Sequence, residues 1–218
     1  MELNLIQKIA IWALPVLFAI TAHEAAHAYV ARLFGDKTAW MLGRCSFNPL
    51  KHIEPFGTVL LPALCLMVGG FVFGWAKPVP VNAANLRDPK RDMLWVAAAG
   101  PGSNFLMAII WAAIQAIGMR YGGALAEPMV LMGQAGIIIN LSLMALNLLP
   151  LLPLDGGRMV AAVLPRNLSA QFARIEPYGM YVLIGLLLLG SIANYPILSR
   201  LLMPIIIPTG RFIQSLFN

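Results

Sequence analysis

Long apolar runs are the feature of this sequence that most restricts its fold. Several of them reach about 18 residues, the length that a helix needs to cross roughly 30 Å of hydrocarbon. Charged residues make up 11% of the chain, whereas a soluble domain carries about 25% because its surface must be hydrated. We therefore expect an all-α polytopic membrane protein, in contact with the lipid bilayer and folded as a single domain over residues 1–218.

The apolar runs also place the helices. The first run predicts a helix over about 5–34, and the absence of a basic leader with a cleavage site favours a retained helix over a signal peptide. Further helices are expected over 93–119, 129–149 and 178–193. The last apolar piece, 197–216, contains two prolines and fits either a broken span or an interfacial helix.

Three consecutive segments interrupt this helical pattern. Residues 37–56 mix apolar and polar side chains around two prolines, so short strands or an interfacial loop fit better than a long helix. We expect a small membrane-associated β segment there. Residues 57–75 are apolar but contain Pro62 and several glycines, and the loop at 77–92 has three prolines and a cluster of charges. That loop is predicted to be the most water-exposed stretch.

The net charge of +6 does not indicate a nucleic-acid partner. The basic residues lie mostly in loops between apolar runs, which is typical of membrane proteins, and no basic helix or aromatic–basic platform is present in the sequence. The two cysteines, Cys45 and Cys65, are too few for a disulfide framework or a thiolate zinc site.

One polar motif lies inside the first apolar run. Residues 23–27 read His-Glu-Ala-Ala-His, and residues four apart lie on the same face of a helix. His23 and His27 can therefore reach one tetrahedral zinc ion, beside which Glu24 can take a proton from a water molecule. Ionisable groups are costly in hydrocarbon, so their presence there indicates a functional site.

Asp155 is the strongest candidate for a third zinc ligand. It follows an apolar run that ends in two prolines, and Gly156 and Gly157 come directly after it. A second interpretation makes Asp155 the N-cap of a helix starting at Gly156. Other acidic residues that could act as a third ligand lie in loops without a suitable helical context: Glu54, Glu127 and Glu176.

A metal ion shared by these residues would determine the topology. The histidines lie in the second half of the first helix, and Asp155 follows the run at 129–149, so both helices must end on one side of the membrane. The run at 93–119 then starts on that side, and 57–75 cannot make one full crossing. We expect 57–75 to be a re-entrant element, which is tolerated when protein shields it.

The basic residues test this topology independently. With a re-entrant 57–75, eleven lie on the side of the metal site and only Lys8 and Arg120 on the other, leaving Arg200 and Arg211 unassigned. Because cytoplasmic loops carry the excess of Lys and Arg, we expect the N-terminus outside and the metal site towards the cytoplasmic face.

The chain contains three informative motifs: HEAAH at 23–27, AAAGPGSNF at 97–105 and NLLPLLPLDGG at 147–157. Together they resemble the site-2 protease family of intramembrane zinc metalloproteases. The FNPLKHIEPFGT and GWAKPVPVN stretches look like short bacterial members without PDZ or CBS domains. The resemblance implies a three-helix catalytic core formed by the helices at 5–34, 93–119 and 129–149.

The resemblance also implies one zinc ion per chain, bound by His23, His27 and Asp155, with Glu24 as general base. It implies that Asn147 holds the substrate backbone or the developing oxyanion. Substrates would be transmembrane segments of other proteins, cleaved in regulated intramembrane proteolysis in a bacterial inner membrane. Apart from the resemblance, we expect an edge strand within 37–56 to pair with the extended substrate. Asn104, by contrast, is interpreted as a helix-packing residue.

Two other functions use similar residues. A metal transporter would place its ligands along a path across the membrane, whereas this sequence has one cluster of them. A non-catalytic scaffold derived from a protease would be expected to have lost Glu24 or a ligand, and all of these residues are present.

Overall fold

The structure, a computed structural model, describes residues 4–54, 57, 60, 77–193 and 195–217. The regular secondary structure of these residues is all helical, as the apolar runs predict, and it includes no strand. The α-helices are α1 (Leu5–Leu33), α2 (Thr38–Met41), α3 (Pro89–Tyr121), α4 (Ala126–Asn147), α5 (Asp155–Val163), α6 (Arg166–Ala173), α7 (Glu176–Ile192) and α8 (Ile197–Ser215).

Among the described residues, three helices are long and apolar enough to cross a membrane: α1, α3 and α4. A fourth span arises if α6 and α7, which meet at a bend of 57°, are one broken span. α7 matches the helix predicted at 178–193 to within two residues at each end, but its 17 residues are fewer than the ~20 that a span requires. α8 stays helical through both of its prolines.

Side-chain caps explain where the long helices begin. The Asn4 side chain accepts from the Gln7 N–H, and the Gln7 side chain accepts from the Asn4 N–H, which forms a capping box at the start of α1. Asp88 caps α3, whose first residue is Pro89. Because proline is preorganised for the first position of a helix, α3 begins four residues before the predicted residue 93. The loop predicted at 77–92 is therefore shorter than expected.

The predicted β segment is not present in residues 37–54, the described part of 37–56. These residues form α2 and a short 3₁₀ turn over Pro49–Lys51. The Asp36 carboxylate accepts from the Thr38 N–H at 3.0 Å, and the Asn48 amide oxygen accepts from the Leu50 N–H at 3.0 Å. Such local side-chain bonds turn the backbone and compete with strand pairing. The element predicted at 57–75 lies outside the described residues, apart from Gly57 and Leu60.

Small residues allow α1, α3 and α4 to pack closely. Four alanines of α1 are completely buried: Ala19, Ala25, Ala28 and Ala31. On α4, a Cβ atom at Gly136 would lie 2.1 Å from Cγ of Trp111, so only glycine permits this contact. Lipid tails are as apolar as the side chains of the helices, so no hydrophobic force drives the helices together in a membrane. Close packing of their backbones stabilises the bundle instead.

The chain leaves and re-enters this bundle at the same end. The backbone N–H of Arg87, just before α3, donates to the carbonyl of Phe34, just after α1, at 3.0 Å. Gly35 adopts a φ of 111° and lies against Asn85, where a Cβ atom would be 3.1 Å from the Asn85 carbonyl oxygen. The segment 35–86 therefore starts and ends beside the C-terminal end of α1.

Candidate metal centre

Three side chains converge between α1 and the start of α5. Nε2 of His23 lies 3.1 Å from Nε2 of His27, and Oδ2 of Asp155 lies 3.2 Å and 3.3 Å from these two nitrogens. All three residues are buried, and among the described residues they form the one group with the spacing of metal ligands. One turn of α1 places the histidines on one face.

Asp155 reaches the histidines because the chain folds back sharply after α4. A Cβ atom at Gly156 would lie 2.4 Å from the carbonyl oxygen of Leu148, and one at Gly157 would lie 2.4 Å from the backbone nitrogen of Leu152. The two glycines therefore let α5 begin against the preceding loop. Asp155 is the first residue of α5, and its N-cap is Leu154, with no side-chain capping bond. The alternative role of Asp155 as an N-cap is thus wrong.

The spacing of the three atoms fits a tetrahedral zinc ion. Ligands held at about 2.0–2.1 Å in tetrahedral geometry lie about 3.3–3.4 Å apart, close to the observed 3.1–3.3 Å. Oδ2 of Asp155 is buried and accepts no hydrogen bond, an arrangement that is costly unless a cation is bound. The residues present therefore fit the metal that the motif predicts.

The outer nitrogen of each imidazole is held by an oxygen acceptor. Nδ1 of His27 lies 2.7 Å from the carbonyl oxygen of Val96, and Nδ1 of His23 lies 2.7 Å from Oδ1 of Asn104. Both acceptors belong to α3. Because an oxygen acceptor requires a proton on Nδ1, the neutral rings present the lone pair of Nε2 to the centre.

Asn104 and Gly100 are site residues that the sequence interpretation missed. Asn104 is 0% exposed and bonded to His23, so its role exceeds the helix packing assigned to it. A Cβ atom at Gly100 would lie 2.4 Å from Nε2 of His27 and 2.6 Å from Cε1 of His23. The absence of a side chain at Gly100 therefore makes room for both imidazoles. The spacing of four residues between them was the available signal, since it places both on one face of α3.

Glu24 faces a cavity of ≈ 320 Å³ that the three converging residues also line. Its Oε2 accepts a hydrogen bond from the backbone N–H of Val79 at 2.7 Å. Val79 belongs to the non-helical stretch 77–82, so this bond joins the loop before α3 to the motif on α1.

Asp36 anchors the other end of the same stretch. Its Oδ2 accepts from the N–H of Asn82 at 2.7 Å, and its Oδ1 accepts from the side chains of Thr38 and Asn85. Burial raises the pKa of Asp36, but these hydrogen bonds outweigh burial and hold the pKa below its usual value. The stretch 77–82 is therefore held beside the cavity at both ends.

Asn147, the last residue of α4, lines the same cavity. Its Nδ2 donates to the carbonyl of Leu143 at 3.0 Å, which uses one of the two amide hydrogens. Arg158, one turn into α5, also lines the cavity. The structure thus brings all of the predicted site residues to one cavity.

Comparison of this sequence with known proteins points to one family. The family model described as Peptidase family M50 matches residues 11–123 and 115–190. A Bacillus subtilis (strain 168) protein named "Putative zinc metalloprotease YwhC" is 39% identical over 190 residues, which cover 84% of each chain. No solved structure matches the chain significantly.

More distant relatives occur in mycobacteria and carry the name "Putative zinc metalloprotease Rip2". The protein from Mycolicibacterium smegmatis is 27% identical over 179 residues, which cover 79% of this chain and 64% of the relative. The protein from Mycobacterium tuberculosis (strain H37Rv) is 28% identical over 177 residues, covering 79% and 63%. With three helices able to span a membrane among the residues that the structure describes and a family match over most of its length, this integral membrane protein belongs to peptidase family M50, the site-2 protease family that its motifs resemble.

Proposed function

We propose that this protein is a zinc-dependent protease that hydrolyses peptide bonds within membrane-spanning segments of other proteins. The observation that carries the proposal is the convergence of His23, His27 and Asp155, with ligand atoms 3.1–3.3 Å apart, in a cavity that Glu24 also lines. The names of the relatives, as zinc metalloproteases, support zinc as the metal.

Glu24 acts as the general base and then as the general acid. A zinc ion held by His23, His27 and Asp155 would supply Lewis-acid activation of the substrate carbonyl and of the attacking water. The N–H of Val79 holds Oε2 of Glu24 at 2.7 Å, which leaves Oε1 to take the proton of the attacking water. Glu24 then passes this proton to the nitrogen of the leaving amine.

Asn147 and the stretch 77–82 hold the substrate backbone. Asn147 has a second amide hydrogen that can donate to the substrate carbonyl, because only one is used by Leu143. In place of the edge strand predicted in 37–56, the stretch 77–82 lies beside Glu24. An unwound, extended substrate would pair with its backbone by β-augmentation.

The fold supports the predicted orientation, with the N-terminus outside and the zinc site towards the cytoplasm. The bond between Phe34 and Arg87 brings both ends of the segment 35–86 to the end of α1 where the histidines lie. That end carries most of the basic loop residues, which favours the cytoplasmic side of a bacterial inner membrane. Release of a membrane-tethered factor in regulated intramembrane proteolysis is the process that such a site would serve.

Zinc content and proteolysis test the proposal separately. We expect about one zinc ion per chain in detergent-purified wild type and in Glu24→Gln, and little in His23→Ala and Asp155→Ala. In proteoliposomes made with host membrane proteins, wild type should generate new N-termini within predicted spans, and Glu24→Gln should not.

Each alternative has its own outcome in these experiments. Absence of zinc from wild type would favour a non-catalytic scaffold, and zinc uptake into proteoliposomes without cleavage would favour a transporter. Retention of zinc by Asp155→Ala would move the third ligand to another acidic residue. Cleavage by Glu24→Gln at the wild-type rate would refute the assignment of the general base.

A further inference from the structure

Asn140 is a buried polar residue that the proposed reaction does not use. It lies within α4, two turns before Asn147, and its exposed fraction is 0%. A buried amide in an apolar helix is costly unless its hydrogen bonds are satisfied. Its partners therefore indicate what it does.

The hydrogen bonds of Asn140 determine how its amide is oriented. One neighbour is the carbonyl oxygen of Gly136, 2.8 Å away, which can only accept, so Nδ2 of Asn140 must face it. Oδ1 of Asn140 then faces the side chain of Asn104, which donates through Nδ2 at 3.0 Å. The direction of both bonds follows from the backbone carbonyl at one end.

The same reasoning extends to the metal site. Nδ2 of Asn104 also donates to the carbonyl of Ala19 at 3.1 Å, so Oδ1 of Asn104 faces Nδ1 of His23 at 2.7 Å. His23 must then carry its proton on Nδ1 and present the lone pair of Nε2 to the metal. An uninterrupted chain of hydrogen bonds joins α4, α3 and α1.

We propose that Asn140 is a positioning residue that, through Asn104, fixes the tautomer of His23 and so strengthens metal binding. The inference deepens the proposed zinc site and rests on it. Its essential step is the orientation of the Asn104 amide. If that amide turned over, its NH₂ group would face Nδ1 of His23, and the ring proton would move to Nε2. That proton would point at His27 and Asp155, where it would block metal binding.

Two acceptors oppose this rotation: Oδ1 of Asn140 and the carbonyl oxygen of Ala19. Removing Asn140 leaves only the second. Changes to groups that orient metal ligands cost about 10–100-fold in metal affinity, and we expect the lower end, about tenfold, because one acceptor remains. His27 provides an internal control, since its Nδ1 is bonded to the backbone carbonyl of Val96, which cannot turn over.

The variants distinguish the effect of the Asn140–Asn104–His23 hydrogen-bond chain from that of general packing. Asn140→Leu keeps the branched shape of the side chain but removes the oxygen that Asn104 requires. Asn140→Ala removes the same oxygen without adding bulk, and it replaces the leucine variant if that variant does not fold. Asn140→Asp keeps an oxygen facing Asn104 in either protonation state. Asn147→Leu is the matched control, because Asn147 lies on the same helix and makes the same type of bond to a carbonyl four residues earlier.

Two measurements on the full-length protein in detergent test the inference. Competition with a chelator should show zinc bound about tenfold more weakly by Asn140→Leu or Asn140→Ala, and near wild-type affinity in Asn140→Asp and Asn147→Leu. In metal-free protein at a pH where the imidazoles are neutral, ¹⁵N NMR of the three histidines should show the Nδ1–H tautomer for His23 in wild type. The leucine or alanine variant should show a mixture at His23 and no change at His27.

Wild-type zinc affinity and an unchanged His23 tautomer in the leucine or alanine variant would overturn the inference. Equal weakening in Asn147→Leu, or a matching change at His27, would overturn it in favour of a general packing defect. If the wild type bound no zinc, the proposed function would fail. The tautomer measurement would still decide whether Asn140, through Asn104, fixes the tautomer of His23.

Discussion

Gly100→Ala should disable the metal site without removing any of its ligands. A Cβ atom at this position of α3 would lie 2.4 Å from Nε2 of His27 and 2.6 Å from Cε1 of His23. The neighbouring atoms are the metal-facing sides of both rings, so the alanine methyl group competes directly with the position of the ligands. Either α3 must move away from α1, or the imidazoles must turn out of the site.

The size of the displacement sets the expected effect. An ordinary contact of this kind begins at 3.4 Å, so the gap of 2.4 Å must open by about 1 Å. Metal sites tolerate errors of about 0.2 Å in ligand distance. Since altered ligand orientation costs about 10–100-fold in affinity, a displacement several times this tolerance should weaken zinc binding by roughly 100-fold.

Gly102→Ala is the matched control on the same helix. A Cβ atom at Gly102 meets nothing within 4 Å, and alanine in place of glycine stabilises a helix interior by about 0.5–1 kcal/mol. Zinc affinity would be measured by chelator competition, together with the thermal unfolding midpoint of each metal-free variant. Wild-type affinity in Gly100→Ala would refute the reasoning, and equal weakening in both variants would attribute the loss to the helix as a whole.

Three further predictions follow from other contacts. Gly179→Ala on α7 would place Cβ 1.5 Å from the carbonyl oxygen of Leu152 and should destabilise the fold by about 1–3 kcal/mol through overpacking. The thermal unfolding midpoint of this variant should fall. That of Gly185→Ala should not, because a Cβ atom there meets nothing within 4 Å. Because the pKa of Asp36 is lower in the folded protein, its stabilisation is present above the unfolded value of about 3.9 and is lost as the pH falls towards the folded value. The opening free energy of the 77–88 amides, from hydrogen-exchange rates corrected for the pH dependence of intrinsic exchange, should fall over that interval in wild type, and an equal fall in Asp36→Ala would contradict this. Asn147→Leu should retain zinc but lose cleavage of the membrane proteins in the proteoliposome assay, and full cleavage would exclude a substrate role for Asn147.

Much of the site could be predicted because its strongest constraints are local. The period of an α-helix places His23 and His27 on one face, and the cost of burying ionisable groups in hydrocarbon makes a functional site the expected explanation. Asp155 could be selected because few acidic residues lie at the end of an apolar run. In the structure, Nε2 of His23, Nε2 of His27 and Oδ2 of Asp155 lie 3.1–3.3 Å from one another.

The strands expected within 37–56 are absent from residues 37–54, the described part, because propensity and prolines do not reveal which local hydrogen bonds will form. Prolines in a mixed segment argue against a long helix, and that much is correct. The side chains of Asp36 and Asn48 bond to nearby backbone N–H groups, and these turns replace the expected strands.

By itself the sequence determined that the chain is a helical membrane protein, which residues are available as metal ligands, and the family to which it belongs. Hydrophobic length and helical period are properties of a single segment, so they can be read without neighbours. Only the tertiary structure decided that Asn104 orients His23, that Gly100 makes room for the imidazoles and that Val79 holds Glu24. An asparagine in an apolar run shows that it needs a partner, but which partner it finds depends on how α1, α3 and α4 pack against one another.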